Sequence, residues 1–374
     1  MWSNTDIAMM SRAIMLARRG RYTTRPNPNV GCVIIDADGK IVGEGWHQRA
    51  GEPHAEVHAL KMAADKARGA TAYVTLEPCS HYGRTPPCAE ALIKHGLKRV
   101  VVAMTDPNPQ VAGRGIGMLQ EAGIQVQSGL LAEQARELNP GFLSRMERNR
   151  PWVTLKLAAS LDGKTALANG ESKWITGPEA RRDVQRLRAR SCALLTGIET
   201  VLADDPSLNV RHAELGSLGE TLSEQQLIQP LRVILDSNCR MPLDARLLQI
   251  ASPVLLVSCR PYEDEFLAAL PPYVTTLVLA GEDNRVDIAA LLQHLNQSCN
   301  AVLVEAGATL CGAFISAGLA DELLLYQAPK LLGAAGRNLL ALPNYQQIAD
   351  TPAIRVTDQR KLGNDTRLTL KIGD

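Results

Sequence analysis

Aromatic residues make up only 4% of this 374-residue chain, too few for the stacking platforms on which single-stranded nucleic acids bind. Neither sign of charge is in excess: 40 Lys+Arg against 39 Asp+Glu leave +1. No global field therefore draws the chain onto nucleic acid or an acidic membrane. No apolar run approaches the roughly 18 residues of a membrane span. The first 20 residues also lack the unbroken apolar stretch of a secretory signal, because Asp6, Arg12, Arg18 and Arg19 interrupt it. A cytoplasmic location is expected. What is present instead is helical spacing: Ile7, Met10, Ile14 and Ala17 share one face, predicting a helix capped by Asn4 or Thr5 and stopped by Gly20. With 45% hydrophobic and 21% charged residues, the chain can bury sizeable cores, and at about 150 residues per domain it holds two or three of them.

Eight cysteines without a signal segment point to thiols rather than a disulfide framework. Cys32, Cys192, Cys239, Cys259, Cys299 and Cys311 stand singly in apolar or loop segments and read as small buried hydrophobes. Cys79 and Cys88 belong to a denser pattern.

The first 140 residues alternate strand and helix signals. Strands are predicted over 31–35 and 40–42, joined by the turn Asp36-Ala37-Asp38-Gly39, then a helix over 54–67 and a strand over 72–76. A helix over 87–95 closed by Gly96 and a strand over 99–104 follow. The turn-rich Thr105-Asp106-Pro107-Asn108-Pro109 leads into a helix ending near Ala122 and a strand over 124–127. This alternation implies an α/β sandwich with a largely parallel sheet. Around 145–151, Arg145, Arg148 and Arg150 lead into Pro151, a linker between domains expected over 1–145 and 146–374. In the second, strands over 153–158, 193–196, 231–235, 254–257, 301–305 and 322–328, with helices over 178–190 and 310–317, predict another α/β domain. The polar stretch 212–230 lacks periodicity and reads as a surface excursion. The halves share no repeat.

The densest chemistry is His54-Ala55-Glu56 followed, beyond a predicted strand, by Pro78-Cys79 and then Cys88. One imidazole and two thiolates form a three-ligand tetrahedral zinc site whose fourth position is open to water. The two thiolates balance the metal charge, so bound water loses a proton near neutral pH. Both ligand segments open predicted helices, behind Pro53 and Pro87, and the positive end of a helix dipole favours the Cys88 thiolate. Glu56 lies about 200° around a helix from His54, which suits a proton shuttle beside the metal. A structural zinc site would instead be closed by a fourth Cys or His, for which His58 and His81 are the candidates.

This pattern resembles the zinc nucleobase deaminases with their H-x-E…P-C-x-x-C signature, except that eight residues, Ser80 to Pro87, separate the two cysteines. The run Leu76-Glu77-Pro78-Cys79-Ser80-His81-Tyr82-Gly83-Arg84-Thr85-Pro86-Pro87-Cys88, with Asn27-Pro28-Asn29-Val30-Gly31 upstream, is similar to the deaminase domain of the bifunctional riboflavin-biosynthesis deaminase/reductases. That resemblance implies a cytidine-deaminase-like α/β/α sandwich. It also implies a substrate pocket lined by Asn27, His47 and Arg84, with Arg84 on the ribose phosphate. A guanidinium binds phosphate through paired, charge-assisted hydrogen bonds, and an Asn amide can read a pyrimidine edge. The implied reaction replaces an exocyclic amine of a diaminopyrimidinone by oxygen, with Glu56 carrying the proton to the ring nitrogen and to departing ammonia.

In the second half Glu305-Ala306-Gly307-Ala308-Thr309-Leu310-Cys311-Gly312 follows a strand and opens a helix. It serves either as a phosphate cradle at the helix N-terminus or as a tight strand-to-helix connection. It matches neither the Rossmann nor the P-loop pattern. Gly113-Arg114-Gly115-Ile116-Gly117 reads as a helix start. Leu155-Lys156-Leu157-Ala158-Ala159-Ser160-Leu161-Asp162-Gly163, Trp174-Ile175-Thr176, Val201-Leu202-Ala203-Asp204-Asp205-Pro206 and Val304-Glu305-Ala306-Gly307 resemble the reductase domain of the same family, a dihydrofolate-reductase-like α/β fold. The resemblance implies that Ala158, Trp174, Thr200, Asp204, Gly307, Ala308, Thr309, Leu310, Cys311, Gly312 and Ala313 contact NADPH. It further implies that Ser172, Arg188, Leu208, Arg211 and Glu305 contact the ribosylamino substrate. Arg188 shares its predicted helix with Arg181, Arg182, Arg186 and Arg190, most of which should form a solvated face. Asp204 and Glu305 are the carboxylates nearest that site in the motif sense.

The expectation is a bifunctional enzyme of riboflavin biosynthesis using Zn2+ and NADPH on a small phosphorylated pyrimidine. No nucleic acid or membrane partner is expected, and a homo-oligomer is. Two other readings stay open at this level. One is a base-editing protein, which the low charge and scarce aromatics oppose. The other is a deaminase whose second half is a structural appendage.

Overall fold

The computed structural model describes residues 1–82, 86–109 and 111–373. It divides into two compact units, Met1–Arg150 and one beginning at Pro151, five residues beyond the expected boundary. The segment read as a linker is largely helical. Pro140 occupies the first turn, Phe142 and Leu143 are buried, and Asn149 in the left-handed region ends the helix.

The first unit runs α1 (Asn4–Ala17), β1 (Gly31–Ile35), β2 (Ile41–Trp46), α2 (Ala55–Ala63), β3 (Thr71–Val74), α3 (Cys88–Lys94), β4 (Arg99–Val102), α4 (Arg114–Glu121), β5 (Gln125–Ser128), α5 (Ala132–Arg136) and α6 (Pro140–Arg148). Ser3, not Asn4 or Thr5, caps α1. Its hydroxyl accepts the Asp6 N–H at 3.1 Å while Asp6 accepts the Ser3 N–H at 2.9 Å, a reciprocal capping box. Asp6 also receives the Tyr73 hydroxyl at 2.9 Å and Arg99 at 2.7 Å, which pins α1 to the sheet. Met10, Ile14 and Ala17 are buried as expected, whereas Ile7 is exposed.

The first sheet has the order β2-β1-β3-β4-β5. It is mixed rather than largely parallel: β2–β1 and β1–β3 are antiparallel, β3–β4 and β4–β5 parallel. The connection between β1 and β2 is too short for a crossover, so it closes a hairpin. β2 extends beyond the predicted 40–42, its apolar pattern having been broken by Gly43 and Gly45. Those glycines are required by packing. A Cβ on Gly43 would lie 2.2 Å from the Ala59 carbonyl oxygen, and one on Gly45 2.2 Å from that of Ala55. Helix α2 therefore lies directly on β2, which fixes the position of its first turn. The predicted helix over 54–67 ends early, because Ala64 at φ 49° turns the chain into a 3-10 segment.

The second unit comprises β6 (Trp152–Ser160), β7 (Lys164–Ala166), α7 (Pro178–Arg190), β8 (Ala193–Gly197), α8 (Ile198–Asp204), α9 (Ser217–Thr221), β9 (Leu231–Leu235), β10 (Val254–Ser258), α10 (Asp264–Ala269), β11 (Val274–Val278), α11 (Ile288–Asn296), β12 (Ala301–Val304), α12 (Ala308–Ser316), β13 (Glu322–Ala328), β14 (Arg337–Asn338), β15 (Ile354–Leu362) and β16 (Asp365–Ile372). Its main sheet has the order β11-β10-β9-β8-β12-β6-β13-β16-β15, parallel from β11 to β13 and antiparallel over the terminal hairpin. Val153, Leu155, Val233, Val302 and Phe314 build one core; Leu194, Ile234, Leu256 and Tyr326 build another. The excursion over 212–230 is anchored by buried Leu215 and Leu222, so it is not wholly a surface loop. All eight cysteines are free thiols. Of the six read as buried hydrophobes, Cys192, Cys239 and Cys259 are only half-buried: Cys192 and Cys259 flank the ends of β8 and β10, and Cys239 stands in the turn after β9 at φ 57°.

Candidate active sites

His54 is the N-cap of α2 and Cys88 the first residue of α3, behind Pro87. Cys79 lies in the irregular segment after β3. His54 Nδ1 is 3.5 Å from Cys79 Sγ and 3.3 Å from Cys88 Sγ. All three donor atoms lie within 4.8 Å of one another. Bonds of about 2.0–2.3 Å to a tetrahedral zinc put neighbouring donors roughly 3.3–3.8 Å apart, so the donor set fits that ion by both chemistry and spacing. Among the described residues no fourth Cys, His, Asp or Glu joins the cluster. His58 packs against Gly45 of β2 and His81 is exposed, which removes both candidates for closing the site. The Cys88 N–H donates to Cys79 Sγ at 3.2 Å. The Cys88 thiol, His54 and that N–H together pull the Cys79 thiol well below its ordinary range.

Glu56 stands in the first turn of α2 with only 3% of its surface exposed. Burial pushes its carboxyl up to about 7, and its Oε2 is buried without a hydrogen-bond partner. His47 is buried beside His54, ring centroids 5.2 Å apart at 84°. Its Nε2 lies 3.1 Å from Asn27 Nδ2 and its Nδ1 3.3 Å from the Pro53 carbonyl oxygen. An amide donor on Nε2 leaves the ring proton on Nδ1, donating to Pro53. Burial holds this imidazole below its ordinary pKa, in line with the neutral ring that the Asn27 donor implies. Arg84 lies outside the described residues.

In the second unit the parallel strands end together where α8 and α12 begin. Gly307 caps α12, and a Cβ built on it meets nothing within 4 Å. Protein packing does not demand glycine there, and the open space leaves the helix N-terminus accessible to an anion. Gly307 and Thr309 are exposed, Ala308, Leu310 and Ala313 half-buried. Cys311 and Gly312 turn inward: Cys311 is buried, and a Cβ on Gly312 would lie 2.0 Å from the Ala341 carbonyl oxygen. The helical periodicity of α12 turns these two residues toward the interior. Trp174 is 65% exposed, with the Arg181 guanidinium 4.6 Å from its ring centroid. Asp204 pairs with Lys173 at 3.0 Å. Thr200 and Ser172 are half-buried, and so is Ala158, which stands beside Tyr326 on β13.

Arg188 does not belong to a solvated face. Its side chain and that of Glu305 are each 12% exposed, and they form a two-pronged pair of 2.6 and 2.9 Å. Arg188 also donates to the Asn209 carbonyl at 3.1 Å. Burial raises the Glu305 carboxyl, but Arg188, Lys156 and Arg211 together hold it below the ordinary range. Arg211 pairs with Glu214 at the rim. Leu208 is buried at φ 50°, which leaves its backbone rather than its side chain to meet a ligand. Lys156 was missed by sequence reasoning. The available signal was a cation in the middle of a parallel strand that should otherwise be apolar throughout.

Fold and sites together define a two-part enzyme, a zinc-binding deaminase of the cytidine-deaminase type followed by an α/β reductase. Residues 3–104 match the cytidine and deoxycytidylate deaminase zinc-binding region, and residues 151–368 match the RibD C-terminal domain. The chain belongs to the family of bifunctional riboflavin-biosynthesis deaminase/reductases, and it uses zinc and NADPH. It is 55% identical to the riboflavin biosynthesis protein RibD of Escherichia coli over 98% of this chain and 99% of that one. The Acinetobacter baumannii RibD structure superposes with a TM-score of 0.90 at 48% identity over 99% of both chains. A Thermotoga maritima diaminohydroxyphosphoribosylaminopyrimidine deaminase/5-amino-6-(5-phosphoribosylamino)uracil reductase gives 0.85 at 32% identity over 98% of this chain and 99% of that one. No helix among the described residues is long and apolar enough to cross a membrane.

Proposed function

We propose that the first unit deaminates 2,5-diamino-6-(ribosylamino)-4(3H)-pyrimidinone 5'-phosphate to 5-amino-6-(ribosylamino)uracil 5'-phosphate, and that the second reduces the ribosyl group to ribityl. The observation carrying the first step is the buried, unpartnered Glu56 Oε2 beside a three-donor cluster. Zinc held by His54, Cys79 and Cys88 supplies a Lewis acid that makes water nucleophilic at neutral pH. Glu56, poised near neutrality by burial, takes one proton from the attacking water to the ring nitrogen, and then carries the remaining proton of the added hydroxyl to the amine, so that the C–N bond breaks and ammonia leaves as the new carbonyl forms. Neutral His47 and the Asn27 amide offer fixed hydrogen-bonding groups to the pyrimidine edge, and Arg84 binds the phosphate.

In the second step NADPH supplies the hydride. Gly307, Ala308, Thr309 and Leu310 receive its phosphates at the head of α12, and Ala158, Trp174, Thr200 and Asp204 border it. Glu305, held by Arg188, and the Lys156 cation face the ribose carbon that accepts the hydride; Ser172, Arg211 and the Leu208 backbone complete the substrate side. We further read the chain as a cytoplasmic homo-oligomer. In support of self-association, the unpaired outer edge of β15 exposes Ile354 and Val356.

The test uses the full chain with the diamino substrate. Ammonia release should require zinc alone, and oxidation of NADPH should follow only when that cofactor is added. Glu56→Gln should retain zinc and the reductive step while losing ammonia release by about 10²–10⁴-fold. Ammonia release at the wild-type rate would refute the shuttle.

A further inference from the structure

The segment that carries Cys79 holds a second buried carboxylate for which the deamination chemistry has no use. Glu77, 3% exposed, accepts four backbone N–H groups. Oε2 takes Asp106 at 3.1 Å and Gly113 at 3.0 Å; Oε1 takes Gly115 at 3.0 Å and Ile116 at 3.2 Å. Three of these donors open α4, where N–H groups have no partner within the helix, and an anion there also meets the positive end of the dipole. The same helix presses on the next residue of the ligand segment. A Cβ on Gly115 would lie 2.0 Å from the Pro78 carbonyl oxygen. The Glu77 N–H meanwhile donates to the Met104 carbonyl at 3.0 Å. Cys79, which lies in no helix or strand, is thus approached on one side by a clamped Glu77-Pro78 pair. On the other, its carbonyl receives the Ala89 N–H at 3.2 Å.

We propose that Glu77 is a positioning residue for the deaminase metal centre. Acting through Cys79, it locks Pro78 onto the head of α4 and so holds the sulfur at ligand distance from His54 and Cys88. It is not itself a ligand, since both its oxygens are saturated by N–H donors. The inference rests on Cys79 being a ligand. Glu77→Gln keeps the shape but leaves one accepting oxygen. Its amide NH2 then faces two buried N–H groups, and Pro78-Cys79 must shift. Gly115→Ala strikes the same segment from behind, its Cβ 2.0 Å from the Pro78 carbonyl oxygen and 3.3 Å from Glu77 Oε1, while leaving the carboxylate itself unchanged.

Both variants are prepared in the full chain and loaded with Co2+ as a spectroscopic stand-in for zinc. The thiolate-to-cobalt and ligand-field bands are recorded, the metal is titrated against a chelator, and kcat and KM for ammonia release are measured. The NADPH-dependent step is the internal control. Both variants should bind one Co2+ with shifted bands and 10–100-fold weaker affinity. kcat should fall by a similar factor, KM should change little, and reductase activity should be retained. Should Glu77→Gln fail to fold, Gly115→Ala carries the same readouts. Unshifted bands and unchanged kcat per bound metal, with only a lower melting temperature, would overturn the proposal. A wild-type chain that fails to bind Co2+ stoichiometrically would overturn the ligand assignment, and the proposal with it.

Discussion

Replacing Arg188 by Met tests the least expected feature of the reductase unit. The guanidinium makes three hydrogen bonds, two to Glu305 and one to the Asn209 carbonyl, and both partners of the pair are nearly buried. Removing one member of a buried pair leaves the other uncompensated, at a cost of about 3–5 kcal/mol. For a domain of this size each kcal/mol lowers the melting temperature by about 2–4 °C, giving a fall of roughly 6–20 °C. The pH dependence should change sign as well. In the wild type Glu305 is held below its ordinary value, so its contribution is full above the unfolded pKa and is lost as pH falls through the folded one. In Arg188→Met burial is opposed only by Lys156 and Arg211. The carboxyl rises, and stability should instead decline as pH increases through the range between the unfolded and folded values. The assay is thermal inactivation of NADPH oxidation, with ammonia release from the same samples as control. Arg188→Lys, which keeps charge but not the two-pronged geometry, should fall between. Adding Glu305→Gln to Arg188→Met should recover part of the loss, because the stranded anion is gone. A fall of less than about 3 °C, or no recovery in the double variant, would refute this account of the pair.

Two glycines of α12 separate ligand approach from packing. Gly307→Val places its side chain in open space, so the melting temperature should hold while KM for NADPH rises about tenfold, a loss of roughly 1.4 kcal/mol of binding. Gly312→Ala drives a Cβ against the Ala341 backbone and should cost about 1–3 kcal/mol of stability; the opposite pattern, read by melting and cofactor titration, would reverse the two roles. Asp6 offers an acid-side test. Burial would raise its carboxyl, yet Arg99, Ser3 and Tyr73 hold it well below the ordinary range. Its stabilisation is therefore full above about pH 4 and is lost as pH falls toward the folded value. Asp6→Asn should be less stable at neutral pH and show a shallower acid decline, measured by circular dichroism.

The elements of both units were largely legible where periodicity was long, as in α7 and the apolar strands β8, β9 and β10. Strand β2 was truncated because Gly43 and Gly45, required by the overlying α2, erase its apolar alternation. Strands β15 and β16 went unforeseen, since β15 faces solvent along most of its length and carries no burial pattern to read. The His54, Cys79 and Cys88 cluster was legible because zinc accepts few donor types and two of the three, His54 and Cys88, stood at helix starts. Arg188 was named only by the family resemblance, because its helix bears five arginines and residue spacing cannot single one out; the arrival of Glu305, 117 residues later, does.

By itself the sequence determined which chemistry is present: an imidazole, two thiolates and a carboxylate close together in the chain, and a glycine-led helix after a strand. Local order suffices for that, since helix starts and donor types are written residue by residue. Only the tertiary structure decided which groups are held still and which remain free. It brought four N–H groups from 29 to 39 residues away onto Glu77 while leaving one oxygen of Glu56 unsatisfied. Hydrogen-bond satisfaction in a buried site depends on what the rest of the chain delivers there, and spacing along the sequence carries no record of it.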